Sequence, residues 1–420
     1  MSIKHRLVGA AAAVALVPVT AGAGQVSRPA EVASVISDWS SVATTTLQGD
    51  TGKIVPENFV YLAFVHVAMH DAVAGIHPRY EPYRRHRPAP RHASATAAAA
   101  AAGHRILTTY SLYAKVALDD ALAVSLAKVP DGAAKTAGVA YGERVAQDLI
   151  DLRADDGRNA PVQYTRTPAP GVWRPTPPAY LPMAVPWLGG VTPLMIRSTA
   201  QFAPPAPPAL TSRRYTRDFA EVKAMGSATS TARTAAQTGT ARFYAGNANV
   251  QVTAALRDQA AVRGMDISDA ARMFAAVHLA IADGVIVTWE SKLDRAYWRP
   301  STAIQLADTD GNPATVADPS WTPLIAEPPY PDYVSGYNVV IAAFSRALEH
   351  VVGPRLNLTL ISTAVPGAVR QYRGGAELRA DVVDARIWLG IHFRTADTAA
   401  RTLGIDIADW ASRRYLRPTR

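Results

Sequence analysis

Residues 57–76 read ENFVYLAFVHVAMHDAVAGI, a segment of 20 residues that is apolar on nearly every side. A helix without a polar face is buried on all sides, so the segment predicts a long helix inside the core. The His77-Pro78 pair that follows ends the helix, because proline disfavours helical geometry in the residue before it. This buried helix is the strongest constraint that the sequence places on the fold.

Helical patterns recur along most of the chain. They cover residues 31–50, 94–128, 132–151, 214–225, 231–246, 250–263, 267–292, 337–352, 374–391 and 395–415, with a short strand pair within 356–372. Asp266 or Ser268 can cap the helix that begins at 267. No repeat of fixed period is visible. We therefore predict an all-α fold with little sheet.

A proline-rich segment, residues 154–212, separates the early helices from the late ones. Regular elements seldom carry so many prolines. The segment also holds four large aromatic residues, Tyr164, Trp173, Tyr180 and Trp187. These predict a strap that packs on the core rather than a free tether. The mature chain would then divide into an N-terminal helical region, 24–213, and a C-terminal helical region, 214–420.

The first residues, MSIKHRLVGAAAAVALVPVTAGAGQ, combine a basic start, an apolar run and a small-residue pattern at 21–23. This is typical of a secretory signal peptide, residues 1–23, with cleavage after Ala23. A retained anchor is the alternative, but the run is shorter than the about 20 residues that span a bilayer. No later segment is expected to be long and apolar enough to cross a membrane. We therefore predict a secreted or extracytoplasmic protein.

Composition excludes several classes of function. No cysteine occurs, which excludes disulfides, thiol catalysis and thiolate metal sites. The net charge is +9, but the basic residues are scattered and form no nucleic-acid motif. The charge is compatible with a small anionic ligand, and nucleic acid is not an expected partner.

Two stretches of the last third carry cations and an imidazole. In WESKLDRAYWRPSTAI, Lys292 and Arg299 are seven residues apart, nearly on one face of a helix, although the next residue, a proline, takes Arg299 out of helical geometry. In DARIWLGIHFRTAD, Arg386 and His392 are six residues apart. Gly390 offers a place for the helix to end, so that His392 can turn toward Arg386.

A third stretch, PPYPDYVSGYN, leads into a helix. Ser335 offers a hydroxyl, and Gly336 lets the backbone N–H approach a ligand closely. The start of a helix also favours negative charge. Each stretch alone is typical of ordinary structure, but together they fit a tetrahedral oxyanion such as phosphate or vanadate. The imidazole would be either a nucleophile toward phosphorus or an axial ligand of a metal oxyanion.

The order of the three blocks resembles the superfamily of vanadium-dependent haloperoxidases and type 2 phosphatidic acid phosphatases. Its pattern is Lys-x6-Arg-Pro, then Pro-Ser-Gly-His, then Ser-Arg-x5-His, and here Ala385 replaces the last serine. The stretches HVAMHDAV, YWRPSTAI, PPYPDY and GIHFR are similar to the exported bacterial haloperoxidase-like branch. The resemblance is specific over about 268–410 and weaker at 57–83 and 200–245. It implies a helical bundle with long Pro-rich loops and at most a short strand pair.

The resemblance also implies roles for individual residues. Five would bind the oxygens of the anion: Lys292, Arg299, Ser335, Gly336 and Arg386. His392 would ligate the vanadium of vanadate or attack phosphorus, and Tyr330 and Trp298 would line the pocket. Tyr337 replaces the acid–base histidine. Tyrosine, with a pKa near about 10, is a poor base at neutral pH, and such a group contributes about 10²- to 10⁴-fold to a rate.

Three functions stay open. The first is a vanadate-dependent haloperoxidase-like enzyme that uses hydrogen peroxide to oxidise a halide. The second is an acid phosphatase of the type 2 phosphatidic acid phosphatase kind, acting through a phosphohistidine. The third is a catalytically impaired oxyanion-binding relative, because of Tyr337. The cofactor would be vanadate, or phosphate in the same site. The partners would be small molecules (halide, peroxide or phosphoester), with no nucleic acid and no membrane span in the mature chain, and a homodimer stays open.

Other polar residues lie on the apolar helices. His66 and His70 are four residues apart with Asp71 next, a spacing that can hold a divalent metal. No second pair of ligands is evident, and packing is the alternative. Asp283 could orient a pocket arginine, with a plain salt bridge or a helix-surface role as the alternatives.

Overall fold

The computed structural model describes residues 31–419 of the 420-residue chain, with side chains from residue 34. The predicted signal peptide, residues 1–23, therefore lies outside the described residues. In chain order, the helices of this part of the chain are α1 (Glu31–Gly49), α2 (Val55–Ile76), α3 (Ala95–Tyr110), α4 (Lys115–Ala127), α5 (Ala133–Leu152), α6 (Arg213–Gly226), α7 (Ala235–Phe243), α8 (Ala248–Val262), α9 (Ile267–Arg295), α10 (Pro300–Gln305), α11 (Gly336–Val352), α12 (Gly375–Trp388) and α13 (Arg394–Ser412).

The sheet of the described chain is one antiparallel pair, β1 (Leu358–Ile361) and β2 (Val369–Tyr372). The first residue of β1 lies opposite the last residue of β2, so the two strands form a simple hairpin. The prediction of an all-α helical bundle with long Pro-rich loops and one short strand pair is confirmed.

Two boundaries differ from the sequence prediction. The predicted helix 94–128 is two helices, because Ser111 leaves helical geometry with φ −140° and ψ 60° and begins a short turn before α4. The helix that carries Lys292 ends at Arg295 rather than at residue 292, and Ala296 adopts a left-handed conformation before the chain turns into α10. Arg299 lies outside this helix in extended geometry, as the proline that follows it predicted.

The central helices of the bundle are α2 and α9, which pack against each other. Residues 57–74 of α2 and residues 277–289 of α9 are all buried, as expected for helices that are apolar on every side. Helices α11 and α13 pack beside α9. Gly404 of α13 allows α13 to lie close to α11, since a Cβ there would lie 2.6 Å from the Val339 carbonyl oxygen. These four helices form the frame that holds the site.

Both central helices are long and apolar enough, by length and composition, to cross a membrane. The expectation that no later segment meets that criterion is therefore wrong. In each helix, 89% of the most apolar stretch is buried inside the protein. Their apolar character is accounted for by the core that they build.

The proline-rich segment lies against the core through main-chain and aromatic contacts. The backbone N–H of Trp173 donates to the Ala296 carbonyl at 2.7 Å, and the buried Trp173 ring meets Tyr164 edge-on. Trp187 is half-buried, whereas Tyr180 is exposed. One hydrophobic core includes residues from both sides of the boundary between 213 and 214, and the predicted division there stays a prediction.

Asp283, in the middle of α9, anchors the end of this strap. Its buried carboxylate accepts hydrogen bonds from the backbone N–H groups of Leu194, Met195 and Ile196, at 2.6, 2.8 and 2.9 Å. Burial raises the pKa of Asp283 to about 6, against the lowering effect of these hydrogen bonds. Sequence reasoning had proposed that Asp283 orients a pocket arginine or lies on a helix surface. The structure shows neither role.

His86 joins the segment after α2 to α5. Its Nε2 lies 3.0 Å from Asp71 Oδ2, and its Nδ1 lies 2.8 Å from Asp148 Oδ2. Burial lowers the pKa of the imidazole, but the two hydrogen bonds and two negative charges outweigh burial, so that the pKa lies above its ordinary value. The folded protein thus holds this proton more tightly than the unfolded chain does.

We expect His86 to stabilise the fold at low pH and to lose that effect as the pH rises. Its contribution is complete below the unfolded pKa of about 6.5 and disappears as the pH rises through the raised folded pKa. Because Asp148 is about half exposed, His86→Gln should cost about 1 kcal/mol at low pH and less at alkaline pH. Melting temperatures across this pH range, with exposed His92→Gln as the control, test this. An equal loss at every pH would contradict it.

Candidate active site

The loop before α11 enters the protein interior at residues 330–335. Its prolines exclude a helix, and its last four residues, Asp332 to Ser335, are buried. Buried carbonyl oxygens need hydrogen-bond donors, and two cations supply them. Lys292 Nζ donates to the carbonyls of Pro331 at 2.6 Å and Asp332 at 3.0 Å, and Arg299 Nε donates to the Tyr330 carbonyl at 2.8 Å.

Lys292 lies in the last turn of α9 and is fully buried. Its ammonium also lies 5.0 Å from the centre of the Tyr330 ring, on whose electron-rich face a cation is favourable. Burial, followed by the positive charge of Arg299, holds the pKa of Lys292 well below its ordinary value. The side chain therefore brings a cation to the site, while two of its three donors are used by the loop.

Arg299 is fully buried in the extended segment just before α10. Its Nη1 donates to the Ile391 carbonyl at 2.7 Å and lies 3.4 Å from each ring nitrogen of His392. Its guanidinium lies 5.1 Å from the centre of the Tyr330 ring. Among the described residues, its Nη2 has no hydrogen-bond partner. A buried guanidinium with a free donor is prepared to bind an acceptor such as an oxyanion.

Arg386 lies in the last turn of α12. Its Nη1 donates to the Tyr244 carbonyl at 2.9 Å, whereas its Nε finds no partner in the described chain. The guanidinium lies 4.7 Å from the centre of the Tyr337 ring. Burial lowers the pKa of Arg386 from its ordinary value, but arginine keeps its charge at neutral pH.

His392 follows α12 after a sharp turn at Gly390, whose φ is +79°. Glycine is required here for two reasons: this φ is unfavourable for residues with a Cβ, and a Cβ at Gly390 would lie 2.3 Å from the Gly226 carbonyl oxygen. His392 is buried, and its Nδ1 lies 2.6 Å from Asp332 Oδ1. Burial, followed by the charges of the nearby cations, holds its pKa well below the ordinary value, so the imidazole is neutral.

Asp332 is a site residue that sequence reasoning missed. Its carboxylate is fully buried, with Oδ1 also 3.9 Å from Arg299 Nη1, and Oδ2 finds no partner among the described residues. Burial raises its pKa well above the ordinary value despite the nearby cations. The available signal was a single charged residue between a proline and two large apolar residues in the loop.

Ser335 caps the start of α11, but its hydroxyl does not bond the first turn of the helix. It lies 3.4 Å from Asn338 Nδ2, which donates to Asp397 Oδ1 at 2.7 Å. Asp397, also missed by sequence reasoning, is fully buried, and burial raises its pKa to about 7. Gly336 lies against the Trp289 ring, where a Cβ would be 3.4 Å from the ring.

Tyr337 presents its ring, rather than its hydroxyl, to the cations. The ring lies over Arg386, while the hydroxyl donates to Gln251 Oε1 of α8 at 2.8 Å. Gln251 is itself held, because its amide donates to the Ile361 carbonyl at 2.8 Å. Burial raises the pKa of Tyr337 far above its ordinary value. This hydroxyl is therefore a poor substitute for an acid–base histidine.

A partly open pocket of about 70 Å³ lies against the site. It is lined by apolar side chains, by Trp289 and Tyr330, and by Gly336, Arg386 and His392. Trp298, predicted to line the pocket, is not among its lining residues. That indole is fully buried and stacks on Tyr215, with ring centres 6.4 Å apart. Sequence adjacency to Arg299 misled here, because successive residues of an extended segment point to opposite sides.

The structure thus brings the predicted cations and imidazole to one place. Lys292 and Arg299 both lie against the Tyr330 ring, Arg299 contacts His392, and Arg386 lines the same pocket as His392. The free donors on two arginines, beside the half-buried Gly336, fit a small oxyanion such as vanadate or phosphate.

The histidines of α2 do not form a metal site. Within residues 34–419, no group of three or more His, Cys, Asp or Glu side chains could hold a metal ion. The His66 ring packs at a tilt against that of His278, with ring centres 4.4 Å apart, and His70 Nε2 lies 3.1 Å from the Glu81 carbonyl oxygen. The alternative of packing fits these contacts.

Comparison with known proteins identifies the class first. Residues 272–420, which carry every cation of the site, match the family described as the VCPO second helical-bundle domain. The match covers about a third of the chain, and the predicted resemblance to the vanadium haloperoxidase superfamily is confirmed.

Individual relatives then place the chain more closely. It is 25% identical to vanadium chloroperoxidase of Curvularia inaequalis over 32% of this chain, and the match spans 29% of that relative's length. The structure of a bacterial vanadium-dependent iodoperoxidase aligns with a TM-score of 0.77 and 22% identity, over 93% of this chain and 97% of that one. A holo-type bacterial vanadium-dependent chloroperoxidase aligns with a TM-score of 0.69 and 18% identity, over 86% and 91%. These structures share the fold.

We expect the ring and the hydroxyl of Tyr337 to have separable effects. Tyr337→Phe keeps the ring over Arg386 and should leave oxyanion affinity within about twofold, while the unpaired Gln251 costs about 1 kcal/mol of stability. Tyr337→Ala also removes the ring and should weaken vanadate binding by about tenfold. Calorimetric titration with vanadate, together with thermal unfolding, separates the two. Equal weakening by both variants would show that the hydroxyl itself acts on the anion.

Proposed function

We propose that the protein is a vanadate-dependent haloperoxidase-type enzyme that uses hydrogen peroxide to oxidise a halide. The observation that carries the proposal is the meeting of Lys292, Arg299 and Arg386 with a neutral His392 at one buried place. The similarity to vanadium chloroperoxidase and to the folds of an iodoperoxidase and a chloroperoxidase supports the same chemistry.

The charge balance of the site favours a bound anion. Burying a cation is costly unless an opposite charge and hydrogen bonds compensate it. Asp332 and Asp397 are the nearest carboxylates, and one oxygen of each is already engaged, by His392 and by Asn338. Two carboxylates do not balance the three cations. A small multiply charged oxyanion would complete the compensation and would use the free donors of Arg299 and Arg386.

Each side chain has a defined task in the proposed reaction. Arg299 Nη2 and Arg386 Nε would donate to the oxygens of the anion, and the Ser335 hydroxyl and Gly336 N–H would add hydrogen bonds. His392 would offer Nε2 as the ligand of vanadium. When bound, vanadate supplies a Lewis acid that activates hydrogen peroxide. The fixed cations would stabilise negative charge on the reacting oxygens.

The source of the proton that the reaction consumes distinguishes this chain from the pattern of the superfamily. Oxidation of a halide by hydrogen peroxide transfers two electrons to the O–O bond and consumes one proton, giving hypohalous acid and water. Tyr337 stands where the acid–base histidine would, and its hydroxyl is engaged by Gln251. We infer that turnover is slower than with a histidine, by up to about 10²- to 10⁴-fold. This supports the impaired relative as the limiting case of the same site.

One observation favours hydrolysis of a phosphomonoester as the second candidate. Asp332 Oδ1 lies 2.6 Å from His392 Nδ1, and a proton on Nδ1 would leave Nε2 as the nucleophilic nitrogen. Attack on phosphorus would form the N–P bond of a phosphohistidine as the ester oxygen leaves. The leaving oxygen still needs a proton, and the engaged hydroxyl of Tyr337 is again a poor source.

The remaining predictions belong to the proposal. The signal peptide of residues 1–23 would place the enzyme outside the cytoplasm, where halide and peroxide would reach the open pocket. A homodimer stays an open alternative that the size of the purified mature protein in solution can test.

We expect vanadate-loaded protein to oxidise iodide or bromide in the presence of hydrogen peroxide. His392→Ala should abolish this activity, and Tyr337→His should raise it by at least tenfold, since it restores a group that titrates near neutral pH. The matched assay is phosphate release from a generic phosphomonoester, also with His392→Ala. Tight vanadate binding without halide oxidation, in wild type and in Tyr337→His, would refute the peroxidase proposal. Ester hydrolysis that depends on His392 would favour the phosphatase.

A further inference from the structure

We propose that Asp332 is a positioning residue, which holds His392 in the tautomer and orientation that present Nε2 to the oxyanion site. The inference deepens the proposed function and rests on it, because it concerns the residue that would ligate vanadium or attack phosphorus. It is carried by the 2.6 Å contact between Asp332 Oδ1 and His392 Nδ1, both fully buried.

A neutral imidazole carries one proton, on either Nδ1 or Nε2. A carboxylate oxygen can only accept, so the contact places the proton on Nδ1 and leaves the lone pair on Nε2. His392 lines the open pocket. Without an acceptor at Nδ1, the proton could reside on Nε2, where it would block both ligation and nucleophilic attack. Partners of this kind typically change metal affinity or activity by about 10- to 100-fold.

The carboxylate is itself held in place by the main chain around it. The Asp332 N–H donates to the Tyr297 carbonyl at 2.9 Å, and the Asp332 carbonyl accepts from Lys292 Nζ. Lys292 also binds the carbonyl of the preceding Pro331. This lysine therefore acts on the imidazole through the loop, by fixing the residue that orients it.

A competing account is that Asp332 occupies the place of the anion. Its Oδ1 lies 3.9 Å from Arg299 Nη1, so the carboxylate also faces a cation of the site. The two accounts predict opposite results when the negative charge is removed. If Asp332 is a positioning residue, its substitution should weaken anion binding by the protein. If Asp332 competes with the anion, its substitution should strengthen that binding.

The experiment compares Asp332→Asn and Asp332→Ala with the wild type and with Asp310→Asn. Asp310 is a matched control, because its buried carboxylate bonds Asn312 and Thr315 rather than residues of the site. Vanadate and inorganic phosphate are titrated by calorimetry. Imidazole ¹⁵N NMR of histidine-labelled protein reads the tautomer directly, with the His392 signals assigned by their loss in His392→Ala.

We expect wild-type His392 to show a protonated Nδ1 and an unprotonated Nε2 before any ligand is added. Both Asp332 variants should move the proton toward Nε2 and weaken vanadate binding by about 10- to 100-fold. Asp310→Asn should change neither. An unchanged tautomer, or tighter vanadate binding in Asp332→Asn, would overturn the inference.

The two readouts also separate this inference from the proposed function. The tautomer is measured without vanadate and without turnover, so it tests the Asp332 contact even in an inactive protein. If the wild type bound neither vanadate nor phosphate, the proposed function would fail. A tautomer shift in the Asp332 variants would still support the positioning contact, whereas its absence would overturn it.

Discussion

The site depends on a loop whose buried carbonyl groups are held by cations. Lys292 and Arg299 together bind the carbonyls of three successive residues, 330–332. A proline-rich loop cannot satisfy these groups through regular structure, and water does not replace the donors in a dry interior. The two basic side chains that contact Tyr330 therefore also hold the loop in place. Losing either would disturb the geometry of the loop as well as the charge of the site.

Much of the fold could be predicted because long helices leave a periodic signal in the sequence. The buried helix 57–76 and the helix from 267 were located to within a few residues of α2 and α9. The predictions that failed concern short stretches of the chain. The predicted helix 94–128 is broken at Ser111, where a single residue leaves helical geometry, and no proline or glycine marks this position in the sequence. The short helix α10 was not predicted, although proline is favourable at the first position of a helix, where it stands here.

The site was predictable in its cations and not in its carboxylates. The spacing of Lys292, Arg299, Arg386 and His392 follows the pattern of the superfamily, and three of them are side chains of helix ends or turns that the sequence marks with proline or glycine. The roles of Asp332 and Asp397 could not be predicted, because they depend on contacts with residues far away in the sequence. For Tyr337, the identity of the residue was evident, but the direction of its hydroxyl depends on Gln251, which lies on a different helix.

The anchoring of the strap by Asp283 has a consequence for how the chain comes apart. One carboxylate on the central helix holds three consecutive amide groups of a segment that has little regular structure of its own. Detaching the strap while α9 stays in place would leave the buried Asp283 carboxylate without its donors, and displacing α9 would leave three amide groups without their acceptor. The proline-rich segment is thus tied to the central helix, and the helices before and after it should unfold in one cooperative step.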